Sequence, residues 1–176
     1  MVENYFKLFE LPQGFAIDAG ALETRWRQMA ARVHPDRFAT AAPAERRVAM
    51  QWASTINEGH RILKSPLLRA RYLCEQAGCD LQTESNTRMD GAFLMRQMEW
   101  REALDEARDS EDPARFEQLG NDIAQARTEL ETTVEALIDG QHDFPAAAEK
   151  VREWMFIEKL AAEVQQARHA LADRQH

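Results

Sequence analysis

The chain has 176 residues, 44% hydrophobic and 30% charged, with a net charge of −8. That is enough for one domain or two small ones burying about 70% of the unfolded surface, and it excludes disorder by want of apolar residues. No run approaches the roughly 20 apolar residues of a membrane span, and Met1-Val2-Glu3-Asn4 lacks the basic start and apolar core of a signal peptide, so a soluble, cytoplasmic protein is expected.

The charge is divided along the chain. Residues 1–76 carry 11 Lys/Arg against 8 Asp/Glu, a balance of +3, whereas residues 77–176 carry 11 against 22, a balance of −11. An acidic second half argues against nucleic acid and against anionic membranes as partners.

Asp18 is a good N-cap, and Leu22, Trp26, Met29 and Val33 recur at four/three spacing, which predicts an amphipathic helix ending near Val33. Pro35 has no amide hydrogen and pushes His34 out of the helical region, so the chain must turn there. Pro43 suits a first helical turn, and Val48, Trp52, Ile56 and Leu63 extend a second stripe to Lys64. The two stretches form a helical hairpin with His34, Pro35 and Asp36 at its tip. Its flanks are basic: Arg25, Arg27 and Arg32 precede the tripeptide, Arg37 follows it, and Arg46 and Arg47 open the second helix. Such a cluster favours an acidic partner surface. His34 and Asp36 have the chemistry of a general base and its orienter, but no nucleophile or oxyanion site is indicated beside them, so no catalytic residue is assigned.

A His-Pro-Asp tripeptide alone is a weak signal, and its setting gives it weight. In a tight loop near the N-terminus, between a basic helix and a longer one, it resembles the J domain, the module by which co-chaperones engage DnaK-type chaperones. The resemblance implies that Tyr5, Leu8, Phe9, Leu11 and Pro12 form a short first helix and its exit. It also implies that Ser65-Pro66 caps a short fourth helix through Leu68, Arg71 and Tyr72, stopped by Gly78. Cys74 and Cys79 make a lone C-x4-C, poor spacing for zinc, and a bridge at a helix end is expected to be strained; reduced structural thiols and no metal site are expected.

Residues 78–90 show no clear period and read as a linker between a J domain over 1–77 and a second domain over 91–176. The linker is short and poor in Gly and Pro, so the domains are expected to pack together or move only mildly. A helix is predicted from about Gly91 to Asp109. Asp112-Pro113 caps the next, with Phe116, Leu119, Ile123, Ala126, Leu130, Val134 and Leu137 as a seam ending at Gly140. The last starts near Phe144-Pro145 and carries Ala147, Val151, Trp154, Ala161, Val164 and Leu171. The expectation is an all-α chain whose second half is an antiparallel three-helix bundle. Coiled-coil dimerisation competes with it, and the turn signals favour packing within one chain.

On the helix over 91–109, Phe93, Gln97, Trp100, Leu104 and Ala107 share one face, while Leu94, Met95 and Met98 point away from it beside Glu99, Glu102 and Glu106. Phe156 lies similarly off the stripe of the last helix. A three-helix bundle cannot bury both sides of a helix, so these apolar groups form a candidate binding patch, for which methionine is suited by its flexibility. Packing against the J domain or a second copy is the competing use.

The block from Phe93 to Glu106, with His34-Pro35-Asp36-Arg37-Phe38 and Arg152 to Leu160, resembles the HscB family of J-domain co-chaperones of iron-sulfur cluster biogenesis, over essentially the whole chain. The resemblance implies an N-terminal J domain and a C-terminal three-helix bundle in an L shape, with no cofactor and no enzymatic activity of its own. It implies two partners: HscA, a DnaK-type ATPase that His34, Pro35, Asp36, Arg37, Arg25, Arg27 and Arg32 would engage, and the scaffold IscU. Leu94, Met95, Met98 and Phe156 match the family's scaffold-binding patch, with Glu99, Glu102 and Glu106 as its charged border. Arg37 replaces the usual Lys and Met98 the common Leu, both conservative. The absence of a Gly/Phe-rich tract and of repeated Cys-x-x-Cys argues against a general-purpose DnaJ, and the absence of a cysteine-rich N-terminal extension points to a bacterial-type member. A J protein for another client and an independent holdase are the alternatives.

Overall fold

The structure is a computed structural model describing residues 4–81 and 89–174, and among them it is all-α. Met1-Val2-Glu3, positions 82–88 of the expected linker, and Gln175-His176 lie outside the described residues. The chain forms two compact units, Met1–Leu73 and Cys74–His176. The division therefore falls between Leu73 and Cys74 inside a helix, earlier than the sequence boundary after residue 77.

In the N-terminal unit Asn4 caps α1 (Tyr5–Leu8) by accepting from the amides of Phe6 and Lys7. Glu10 then turns left-handed at φ 50°, and Phe6, Phe9 and Leu11 are buried. Asp18 caps α2 (Ala19–Arg32) by accepting from the Ala21 amide, and Val33 ends it. His34 is extended at φ −58° and ψ 133°, as a pre-proline residue must be, and Pro35–Phe38 make one 3₁₀ turn. α3 (Pro43–Lys64) returns antiparallel with Pro43 in its first turn. α1 rests on α3 at Gly59, where a Cβ would lie 2.7 Å from Tyr5 Cδ1 and 3.0 Å from Phe9 Cε2. Only glycine permits that approach. In α4 (Pro66–Gln76) the buried Arg69 donates to the Leu63 carbonyl at 2.6 Å and lies 4.9 Å over the Phe15 ring, closing the end of α3 with a cation.

The expected stripe on α3 holds only in its second half. Ala49, Ile56, Gly59 and Leu63 are buried, whereas Val48 and Trp52 are 54% and 44% exposed. Val48 lies almost in line with Gly59, three turns earlier and about 16 Å along the axis. α1 is a single turn long and does not reach that far, so the stripe continues past its cover.

In the C-terminal unit Asp90 caps α5 (Gly91–Ser110), Glu111 turns left-handed, and Asp112 with Pro113 starts α6 (Pro113–Glu135). α7 (Phe144–Arg174) completes an antiparallel bundle of α5, α6 and α7. Phe93, Trp100 and Leu104 of α5 meet Phe116, Leu119, Ile123, Ala126, Leu130 and Val134 of α6, and Val151, Trp154, Ile157, Leu160, Val164 and Leu171 of α7. Ala161, expected in the last stripe, sits half-buried at its edge because Ile157 and Leu160 hold the centre.

The end of α6 also departs from expectation. Residues Ala136–Gln141 form a π-helical turn, and an i→i+5 turn holds about one residue more than an α turn. The seam therefore slips by one: Ile138 is buried and Leu137 only half-buried. Gly140 lies within this turn, and the left-handed residue that ends it is His142 at φ 54°. Among the described residues, no helix is long and apolar enough to cross a membrane.

Candidate functional site

The tip of the α2–α3 hairpin exposes both titratable side chains of the tripeptide. Pre-proline geometry stops α2, the 3₁₀ turn carries Asp36 outward, and His34 Nδ1 lies 3.4 Å from both the Asp36 carboxylate and the Asp36 amide. That distance is long for a hydrogen bond, so the pair is loosely coupled. With the His34 and Asp36 side chains 59% and 90% exposed, the loop has the character of a surface to be read and lacks the enclosure of a catalytic pocket.

The basic residues near the tip divide by what they touch. Arg25 turns inward and its guanidinium donates to the carbonyls of Phe9 and Glu10, capping the exit of α1. Arg27 pairs with Glu23 at 2.9 Å along its own helix. Arg32 and Arg37 are exposed. Behind them the hairpin is bolted by side chains: His60 Nε2 lies 3.0 Å from the Glu23 carboxylate, Trp26 stacks on His60 at 4.5 Å, and Trp26 donates to Asn57 at 3.0 Å. The hydrogen bond from His60, followed by that from Arg27, holds the Glu23 carboxyl below its ordinary range. Helical spacing gives no sign of this use of Arg25, because its acceptors lie in the turn that follows α1.

In the C-terminal unit α5 presents Leu94, Met95 and Met98 to solvent, 44%, 67% and 72% exposed. Phe156 differs from them. It is half-buried, edge-on to Phe93 at 6.0 Å between centroids, with the Arg101 guanidinium 5.6 Å over its ring. Arg101 also reaches Glu163 of α7 at 3.3 Å. The apolar groups are thus rooted in the core through Phe93 and neighboured by a cation.

The acidic residues spread more widely than a border would. Glu102 is exposed; Glu106 is tied to Arg115 of α6 at 2.7 Å; and Glu99 lines an open groove of about 540 Å³ between α5 and α6 together with Arg96, Trp100 and Arg115. Arg96 lies 4.8 Å over the Trp100 ring and 3.6 Å from Glu129. Glu99 and Glu106 therefore face α6, on the flank of α5 away from Phe156. Helical angles around α5 could have suggested this separation; the pairings with Arg101 and Arg115 needed the neighbouring helices.

Residues 89–165 match the family described as the HSCB C-terminal oligomerisation domain. The chain is 62% identical over 168 residues to the co-chaperone protein HscB homolog of Bordetella petrii, covering 96% of this chain and 98% of that one. It is 47% identical over 169 residues to the corresponding homolog of Azoarcus, covering 96% of both. Chaperone HscB from Vibrio cholerae superposes with a TM-score of 0.83 at 35% identity, covering 96% and 99% of the two chains. The human co-chaperone protein HscB gives 0.88 at 25% identity, covering 94% and 82%. With a helical J domain, a C-terminal helical bundle and this similarity along nearly its whole length, the chain belongs to the HscB co-chaperone family.

Proposed function

We propose that this co-chaperone joins two partners, using the tip of the α2–α3 hairpin for an HscA-type ATPase and the apolar patch of α5 for an IscU-type iron-sulfur scaffold. The observation that carries the reading is the exposure of Leu94, Met95 and Met98 in a chain that also presents His34 and Asp36 on a stopped helix. Burying each such apolar side chain in a complex is worth about 2 kcal/mol before the costs of association. Arg32, Arg37 and Arg27 supply the positive field for an acidic chaperone surface, while Arg25 supports them by fixing α1 against α2.

In this reading the chain performs no bond chemistry. His34, Pro35 and Asp36 favour the hydrolysis-competent state of the ATPase through contacts made better in that state than in others, which is a shift of populations. Leu94, Met95, Met98 and Phe156 hold the scaffold, with Glu99, Glu102 and Glu106 as polar surroundings that discourage wrong partners. Tethering both partners raises the effective concentration of scaffold at the chaperone. Iron-sulfur protein maturation in the cytoplasm is the process this serves.

The test separates the two functions. His34→Gln should abolish stimulation of HscA ATP hydrolysis and leave IscU affinity by calorimetry unchanged. The Leu94→Ala, Met95→Ala double variant should weaken IscU binding by at least tenfold with stimulation by the free protein intact. Loss of both functions in either folded variant would overturn the division, and unchanged IscU affinity in the second would remove the patch from the scaffold site.

A further inference from the structure

α4 ends in a paired cap. The Cys79 amide donates to the Cys74 carbonyl at 3.0 Å, the Gly78 amide donates to the Glu75 carbonyl at 3.0 Å, and Gly78 is left-handed at φ 82°. These are the six-to-one and five-to-two bonds of a Schellman motif, in which the residue after the left-handed glycine folds back onto the residue five before it. Along an unbroken helix, residues five apart point about 140° away from each other and are separated by about 7.5 Å of axial rise. The left-handed turn instead folds Cys79 back toward Cys74, as the bond between the Cys79 amide and the Cys74 carbonyl shows. The position where this motif usually seats an apolar contact is occupied by two free thiols.

The thiols are unequal. Cys74 is fully buried, with its Sγ 3.9 Å from the Phe144 carbonyl oxygen, and Cys79 is only half-buried. We propose that Cys74 and Cys79 are an oxidisable pair, closed across the cap of α4 by exchange with a low-molecular-weight disulfide of the glutathione class. Cys79 is the entry thiol: its thiolate attacks one sulfur of the glutathione disulfide, that S–S bond breaks, and one glutathione leaves and takes up a proton. Cys74 then gives its proton to solvent and attacks the Cys79 sulfur, expelling the second glutathione. Two electrons pass from the pair to the glutathione disulfide, one S–S bond breaking and one forming. Burial sets this order, because a bulky disulfide reaches Cys79 whereas Cys74 has only to reach its neighbour. Burial also pushes the Cys74 thiol up to about 12. Ring closure draws on the Cys74 thiolate, so its rate should rise about tenfold per unit between about pH 7 and about pH 9, as the thiolate fraction does.

The test uses the full reduced chain with oxidised glutathione under native conditions, followed by intact mass and free-thiol titration. A species carrying one glutathione should appear first and convert into a monomer two hydrogens lighter than the reduced chain, with no titratable thiol. Cys74→Ala should stop at the mixed disulfide, and Cys79→Ser should take up no glutathione while folded. Gly78→Ala, which penalises the left-handed turn, should slow closure several-fold and leave the first step unchanged. Peptide mapping of the wild-type product supplies the linkage if a cysteine variant fails to fold. Persistence of the mixed disulfide at every pH, uptake at Cys74 in Cys79→Ser, a linked dimer, or no reaction would each overturn the proposal.

Discussion

The N-terminal unit exposes its candidate contact residues where a helix has been stopped, and the C-terminal unit exposes its own on helix that runs on without interruption. At His34 the presentation is made by proline and a 3₁₀ turn, with little packing close to the loop, and precision is supplied from behind by the bolt of Glu23, Trp26, Asn57 and His60. At Leu94 the backbone is regular and the presentation is made by packing, since Phe93 and Trp100 on the opposite face fix how α5 is turned. A loop site should accordingly tolerate changes in the core behind it less through geometry than through support, and a helix-face site should follow its core directly.

The largest effect that sharpens this contrast is expected from Leu104→Ala. Leu104 lies almost wholly buried on the core face of α5, and its truncation should cost about 2–5 kcal/mol. Denaturant unfolding should show the loss in the C-terminal unit, with scaffold affinity falling along with it and His34-dependent stimulation retained. If stimulation falls equally, the two units do not act separately.

Arg25→Ala and Arg32→Ala make a second comparison within one cluster. Arg25 caps the exit of α1 and should cost about 1–2 kcal/mol of stability, because two carbonyls lose a charged donor. Arg32 is exposed and should cost less than about 0.5 kcal/mol while lowering ATPase stimulation. Equal stability losses in thermal unfolding would refute the assignment of different uses to these arginines.

A smaller effect concerns acid. Glu23 has a folded-state carboxyl held below its ordinary value of 4.5, first by His60 and then by Arg27. A depressed carboxyl contributes stability that is complete above the ordinary range and disappears as pH falls through the folded value. The wild type should therefore lose this contribution as pH falls below the ordinary carboxylate range, and Glu23→Gln should show a flatter acid limb. Denaturant midpoints of the N-terminal transition across that range decide it; identical slopes would dismiss the His60–Glu23 linkage as a source of acid sensitivity.

Where a feature depended on a few consecutive residues, the sequence was readable. Asp18 and Asp112 each occupy an N-cap, Pro43 and Pro113 each sit in a first turn, and Gly78 ends α4, because caps and turns are decided by local backbone chemistry. Leu94, Met95 and Met98 were also legible, since a period of 3.6 leaves only one face for the core. What escaped required a second element. Val48 and Trp52 fit an apolar stripe yet lie beyond the reach of α1, Arg25 finds its acceptors in the turn after α1, and Phe156 owes its half-buried state to Phe93 and Arg101 of α5. Glu99 and Glu106 share a helix with the patch but belong to the flank facing α6.

The π turn at Ala136–Gln141 acts as a phase adjuster between the two longest helices. One surplus residue is absorbed at the junction, so the seams of α6 and α7 need not share a common count, and whatever rotation α7 requires to seat Trp154 and to bring Phe156 beside Phe93 is set free of the spacing that α6 inherits from Phe116. Deleting one residue there would convert that slack into a twist of about 100° passed down α7.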